Sequence, residues 1–298
     1  MYKPLLKKFF LSTAALFFAM LVLPQQAQAQ EPVNYELKLA GMRVSSLNCD
    51  DLSSIDGVSG TAKFDPESKT LTLDNATIST SVIKFPGLEN SIKGLTIRLI
   101  GDNTITSENY WGLFNNTERS ITFTGSGKLT VNGSTTAPQT GYRRAIFNWG
   151  TIVVDGCTLE ANGGVYGIGS GFWKFVNCNV RTKGGGGSQS DEYAGSLTWM
   201  WDKEPEFVGC KITSPAGVSW KKFQNNGYDN YVLVGEDGNA VTDWVEITRD
   251  NTGVNVQNTD AATAKRGIYT LQGLRLSGEL KDLPAGIYIV DGKKVVKP

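Results

Sequence analysis

Apolar and polar positions alternate in short runs through the middle of the chain. "TLTLDNATIST" begins at Thr70, "GLTIRLIGDNTIT" at Gly94, "SITFTGSGKLTVNG" at Ser120, "TIVVDGCTLEANG" at Thr151, "KFVNCNVRTKGG" at Lys174 and "EFVGCKITSPAG" at Glu206. The steps between them are 24, 26, 31, 23 and 32 residues. Each run is an alternating or β-branched strand, an Asp/Asn/Gly turn and often a second short strand, which is the period of a sheet and not of a helix. A second recurrence runs ahead of the first in "WGLFNN", "RAIFNWG", "YGIGSG" and "AGSLTW". Two or three short strands per repeat, with loops of varying length, predict a parallel β-helix in which stacked coils share one core. The expected fold class is all-β, a single-stranded right-handed parallel β-helix over residues 30–246 with an N-terminal cap. Val154, Val176 and Val208 are expected to lie in vertical register.

The repeat also accounts for the cysteines. Cys157, Cys178 and Cys210 recur in "VVDGCTLEANGG", "FVNCNVRTKGG" and "FVGCKITSPAG". One repeat position explains all three, with Ala76 and Ser134 as its occupants in earlier coils; a small, mildly apolar side chain suits such a place, and a free thiol behaves as one. The column is read as structural, inward and reduced, with a disulfide between adjacent coils and a metal site as the alternatives. Cys49 stands apart. Asp74, Asp102 and Asp155 fall at or beside successive turns. Asx side chains there bond local backbone and seal corners; the competing reading stacks the carboxylates into an oxygen-rich Ca²⁺ site. No cofactor is required, and Ca²⁺ is the one the pattern allows.

The ends change the picture. Lys3, Lys7 and Lys8, the apolar "FFLSTAALFFAMLVL" and "AQA" at 27–29 read as a secretory signal peptide over residues 1–29. No later stretch is apolar for the roughly 18–20 residues that a membrane helix needs, so no transmembrane helix is expected in the mature chain. Removing the leader leaves 26 basic and 29 acidic side chains, which gives no electrostatic case for nucleic acid. The chain has no histidine, which removes the commonest general base and metal ligand. Residues 247–266 are polar and read as a linker; residues 267–298 read as a small β meander turning at Asp291-Gly292.

Two resemblances follow from these stretches. "SGTAKFDPESKTLTLDNATI" with "GLTIRLIGDNTIT" resembles secreted bacterial parallel β-helix proteins of the carbohydrate-binding-domain-like kind, which implies a pectin-lyase-like solenoid over residues 35–213. "GIYTLQGLRLSGELKDLPAGIYIVDGKKVVKP" resembles the sorting tail of type IX (Por) secretion substrates. That implies a Gram-negative bacterial protein handled by export and sorting machinery and delivered to the outer cell surface or beyond, with the periplasm as the alternative.

For function, glycoside hydrolysis needs two carboxylates facing each other across the bond. Candidates occur only as neighbours, Asp191-Glu192 and Glu204 with Glu206, and Arg143, Arg144, Arg181 and Lys183 are the bases a lyase could use. Aromatics gather around the second recurrence and its loops. Trp111, Trp149, Trp173 and Tyr142 are the candidate carbohydrate-binding residues, because aromatic faces stack on sugar C–H surfaces. The expected role is non-catalytic binding of polysaccharide or a cell-surface glycan, with a lyase or hydrolase and a purely structural surface protein as alternatives.

Overall fold

The computed structural model describes residues 31–188, 190–250, 267–270, 275–276, 278–290 and 293–297. The expected signal peptide, most of the expected linker and the Asp291-Gly292 turn lie outside the described residues. The chain divides into two compact units, Met1–Asp250 and Asn251–Pro298. No helix among the described residues is long and apolar enough to cross a membrane.

The first unit opens with a cap. Strands β1 (Asn34–Leu39) and β2 (Met42–Ser45) form an antiparallel hairpin, and β3 (Val58–Asp65) pairs antiparallel with β4 (Thr70–Thr80). Four coils of three strands follow. They comprise β5 (Leu88–Asn90), β6 (Leu95–Ile100) and β7 (Asp102–Ser107), then β8 (Leu113–Asn115), β9 (Ser120–Gly125) and β10 (Lys128–Asn132). The third coil is β11 (Arg144–Asn148), β12 (Thr151–Asp155) and β13 (Thr158–Gly163), and the fourth is β14 (Tyr166–Gly169), β15 (Phe172–Val176) and β16 (Asn179–Gly184). A fifth, irregular coil holds β17 (Leu197–Thr198), β18 (Met200–Trp201), β19 (Glu206–Val208) and β20 (Cys210–Ser214). β21 (Ser219–Asn225) and β22 (Tyr228–Val234) make a hairpin that pairs with β18, and β23 (Val245–Arg249) closes the unit.

Parallel pairing stacks equivalent strands into three walls, as the repeat predicts. The first wall is β5, β8, β11, β14 and β17. The second is β6, β9, β12, β15 and β19, and the third is β7, β10, β13 and β16. β4 is long enough to serve two walls, pairing with β6 through its first half and with β7 through its second. Alternation then sends every second side chain inward. Leu71, Ile97, Phe123, Val154 and Phe175 form one fully buried column. Leu95, Ile121, Ile152 and Trp173 form another.

The register corrects the expected alignment by one residue. Val154 pairs with Phe175, while Val176 pairs with Asp155 and with Val208. Val154 is inward, whereas Val208 is 41% exposed at the corner. The turn that follows needs left-handed backbone in each coil, and Gly156, Asn177 and Gly209 supply it. A Cβ on Gly209 would sit 2.1 Å from the Asn177 amide oxygen of the coil below, so the stack itself excludes a side chain there.

One further expectation changes. β23 enters between β16 and β20, antiparallel to both, so that Ile247 faces Val180 on one side and Ile212 on the other. Residues 247–249 are therefore strand and not linker; the buried Val245 and Ile247 are an inward pair at the spacing a strand requires. Arg249 locks this strand in place, its guanidinium donating to the carbonyls of Asn177 at 2.6 Å and Gly156 at 3.0 Å.

An asparagine ladder closes the corner after the first wall. Asn90, Asn115 and Asn148 are fully buried in one column. Asn90 donates to the Asn115 amide oxygen at 2.8 Å, and Asn115 donates to that of Asn148 at 2.8 Å. The remaining amide groups take up the turning backbone, including the carbonyls of Ile92, Arg119 and Gly150.

The second unit is a four-stranded antiparallel sheet in the order β25-β24-β26-β27, with β24 (Ile268–Thr270), β25 (Arg275–Leu276), β26 (Gly286–Val290) and β27 (Lys293–Lys297). Tyr288 is its buried aromatic, with its hydroxyl donating to the Pro284 carbonyl at 2.7 Å.

Replacing the middle member of the ladder tests its weight. Asn115→Ala removes the acceptor of one Asn90 N–H, while the Asn148 oxygen keeps its bond from the Gly150 N–H, so the cost is roughly 1–3 kcal/mol for the one group stranded. The expected result is a lower urea midpoint at unchanged m-value.

Candidate functional site

The cysteines sit where the third wall begins. Cys157 and Cys178 immediately precede the paired Thr158 and Asn179, and Cys178 lies within hydrogen-bonding reach of the Cys210 thiol. All three are buried free thiols, as is Cys49, and Cys210 donates to the Phe175 carbonyl at 3.4 Å. Burial pushes the Cys157 thiol up to about 12 and raises that of Cys178 as well. Ala76 and Ser134 do not share this column. The ladder carries Ala76 to the level of Asn103 and Leu159, two residues past Cys157, and Ser134 lies beyond the Asn132–Asn162 pair, after β10 and not ahead of it.

The aspartates do not converge either. Asp74 pairs with Ile100, Asp102 with Lys128 and Asp155 with Val176, so each belongs to a different column. No group of three or more metal-ligating His, Cys, Asp or Glu occurs among the described residues. Asp74 instead accepts from the Asn75 amide at 2.8 Å.

The aromatic candidates divide by the direction of their strand positions. Trp173 is 3% exposed and belongs to the core, its Nε1 donating to the Ser170 carbonyl at 2.7 Å. Trp111, Trp149 and Tyr142 come together on the outer side of the first wall. The outward column there reads Lys38, Glu89, Phe114, Phe147, Gly169 and Thr198. Phe114 and Phe147 point out because Leu113, Asn115, Ile146 and Asn148 on either side point in. Their ring centroids are 5.7 Å apart. Trp149 packs edge-on against both, at 5.7 and 5.3 Å, and is 40% exposed. Trp111 lies 4.9 Å from Phe114 and 4.7 Å from Phe147, Tyr110 stacks on it at 4.1 Å, and Tyr142 meets Tyr110 at 4.6 Å. The Trp111 indole N–H donates to the Gly141 carbonyl at 2.8 Å and so pins the loop that carries Tyr142.

The strip continues through Arg144. Its guanidinium lies 4.5 Å over Phe147 and 3.7 Å over Tyr166. The Tyr166 hydroxyl and the Trp199 indole N–H both donate to one oxygen of Asp191, at 2.9 and 2.8 Å. Burial lowers the Arg144 pKa, opposed by Tyr166 and Asp191, and burial raises that of Tyr166. Lys38 and Glu89 form an ion pair of 3.0 Å at the other end. Sequence reasoning passed over Phe114 and Phe147, although "GLFN" and "AIFN" place a phenylalanine in the same phase of consecutive coils.

The candidate catalytic groups are occupied separately. Asp191 takes the two donors just described, Glu206 pairs with Lys174 at 2.7 Å, and Glu192 and Glu204 are exposed. Arg143 donates to the Ala137 carbonyl, Arg181 stacks on Trp244, and Lys183 pairs with Asp243. What the first wall offers chemically is a continuous aromatic surface, with charge at both ends. Compared with protein-family models, curated proteins and solved structures, the chain matches none.

The buried thiols carry a pH signature. The Cys157 pKa rises from 9.0 to about 12 on folding, so above pH 9 the unfolded chain has released a proton that the folded chain retains. Stability from this group is complete below the lower value and falls as pH rises between the two, by about 1.4 kcal/mol per pH unit. Cys157→Ala is expected to flatten that part of the urea-midpoint profile, and native protein at pH 8 should resist a thiol reagent that labels it once unfolded.

Proposed function

We propose that this chain is an exported, surface-associated binding module that holds polysaccharide without cleaving it, along the aromatic strip of the first wall. The exposed face of Trp149, braced from behind by Phe114 and Phe147, is the observation that carries this reading. Aromatic faces take up the C–H side of sugar rings, and side chains already packed against one another lose little freedom on binding. Trp111 and Tyr142 extend the surface onto the loop between β10 and β11, and recognition on a solenoid is commonly placed on loops of varying length. The mutual packing of Trp111 with Tyr110 makes that extension rigid. Hydrolysis would need two carboxylates across one bond, whereas Asp191 and Glu206 each serve other partners. The second unit is the part of the chain that would be read by the export and sorting machinery.

In affinity electrophoresis through polysaccharide gels, Trp149→Ala is expected to weaken retention about tenfold with an unchanged melting temperature, an effect of the size of a few stacking contacts. Trp173→Ala should behave oppositely, losing roughly 3–5 kcal/mol of stability as a core truncation. Unchanged retention in both Trp149→Ala and Tyr142→Ala would remove the strip as the binding surface. Steady release of reducing or unsaturated sugar by the wild type would make the chain an enzyme.

Deleting residues 267–298 tests the role of the second unit. The expected result is a first unit with the same urea midpoint but a different distribution on cell fractionation; identical distribution would remove the sorting role.

A further inference from the structure

A second surface, made of residues the strip does not use, lies where the cap meets the corner between the first and second walls. Lys93 and Arg119 occupy equivalent places in consecutive coils, each two residues before the paired Leu95 and Ile121. Lys69 stands just before β4 and reaches across to the Lys93 carbonyl at 3.3 Å. All three cations line an open groove of about 390 Å³, which Tyr35, Glu36 and Phe64 also line. Tyr35 packs on the buried Phe64 at 5.3 Å and brings an aromatic ring to the lining.

None of the three cations takes part in an ion pair among the described residues, although ion pairs occur elsewhere on both the walls and the cap. The Nε of Arg119 is buried and has no hydrogen-bond partner. A buried N–H without an acceptor is costly, and native structures rarely leave one. One carboxylate, Glu36, and three cations line the groove, so it carries an excess of positive charge.

We infer that this groove binds an oxyanionic group, a carboxylate or a sulfate ester, borne on a ring-sized body. The oxyanion takes the terminal nitrogens of the Arg119 guanidinium, whose Nε is held out of reach beneath them, and the ammonium groups of Lys93 and Lys69, and the ring lies against Tyr35. A guanidinium presents donors in a fixed plane that suits such an anion, and charge-assisted hydrogen bonds of this kind are the stronger ones.

The experiment is titration calorimetry or chemical-shift mapping on the full chain with three probes: glucuronate, glucose and inorganic sulfate. Glucuronate is expected to bind at least tenfold more tightly than either of the others, more weakly as salt is added, and with at least tenfold loss in Arg119→Met. Arg119 also supplies its backbone carbonyl to the asparagine ladder, a contact that the substitution retains. Should that variant fail to fold, the exposed Lys93→Glu is expected to abolish glucuronate binding in a folded protein. Equal binding of glucuronate and glucose, equal binding of glucuronate and sulfate, or wild-type glucuronate affinity in Lys93→Glu would each overturn the inference. None of these outcomes depends on Trp149, so failure here is distinguishable from failure of the aromatic strip.

Discussion

Each coil must turn sharply inward and still leave no backbone group unsatisfied, and the rest of the solenoid depends on how it does so. Asn90, Asn115 and Asn148 solve the problem by stacking in one column, the first two each donating to the next asparagine and all three bonding the peptide groups of the turn. In a dry interior such hydrogen bonds are worth most and are most costly to break. The ladder also sets phase. Because these asparagines are inward, Phe114 and Phe147 one residue earlier are outward, and the aromatic strip follows from the same parity that satisfies the corner.

Parity links the remaining features as well. The corner between the second and third walls uses a left-handed residue in each of three coils, and the residue after it is the buried cysteine. Where one coil has Asn177 and the next has Gly209, the side chain of the first fills the space that the second leaves. Neighbouring coils therefore constrain one another's sequence at the level of single atoms, while the longer loop from 133 to 143, bonded into the stack at Gly133, Ser134 and Arg143, carries Tyr142 out to the strip.

Much of this was legible in the chain. The alternation in "TLTLDNATIST" and "SITFTGSGKLTVNG" carried the strands, and the spacing between the runs carried the stacking. The inward direction of Trp173 was present too, since Lys174 next to it cannot point into the core; reading the tryptophan by its chemistry instead of its phase placed it on the surface. The asparagine ladder was harder to see because turn residues were sought beside Asp and Gly, whereas Asn90, Asn115 and Asn148 end strands. The true register at Val154 was legible as well, since laying Cys157 over Cys178 sets Val154 against Phe175, whereas Ala76 was misplaced because the ladder sets Leu71 and not Leu73 level with Val154. The last three residues of β23 were read as linker because they run into a polar stretch and the inward pair, Val245 and Ile247, is too short to announce a strand.

That last strand has a consequence for the order in which the molecule can be completed. A coil-by-coil stack can be laid down as the chain emerges, each turn using the one before it as a template. The third wall breaks this rule: β20 reaches β16 only through β23, and Arg249 fastens onto Gly156, which precedes it by 93 residues. The fourth coil therefore stays open on that side until the end of the unit has arrived. A molecule threaded outward from its beginning would carry an unzipped edge throughout its passage and seal it only at the last step.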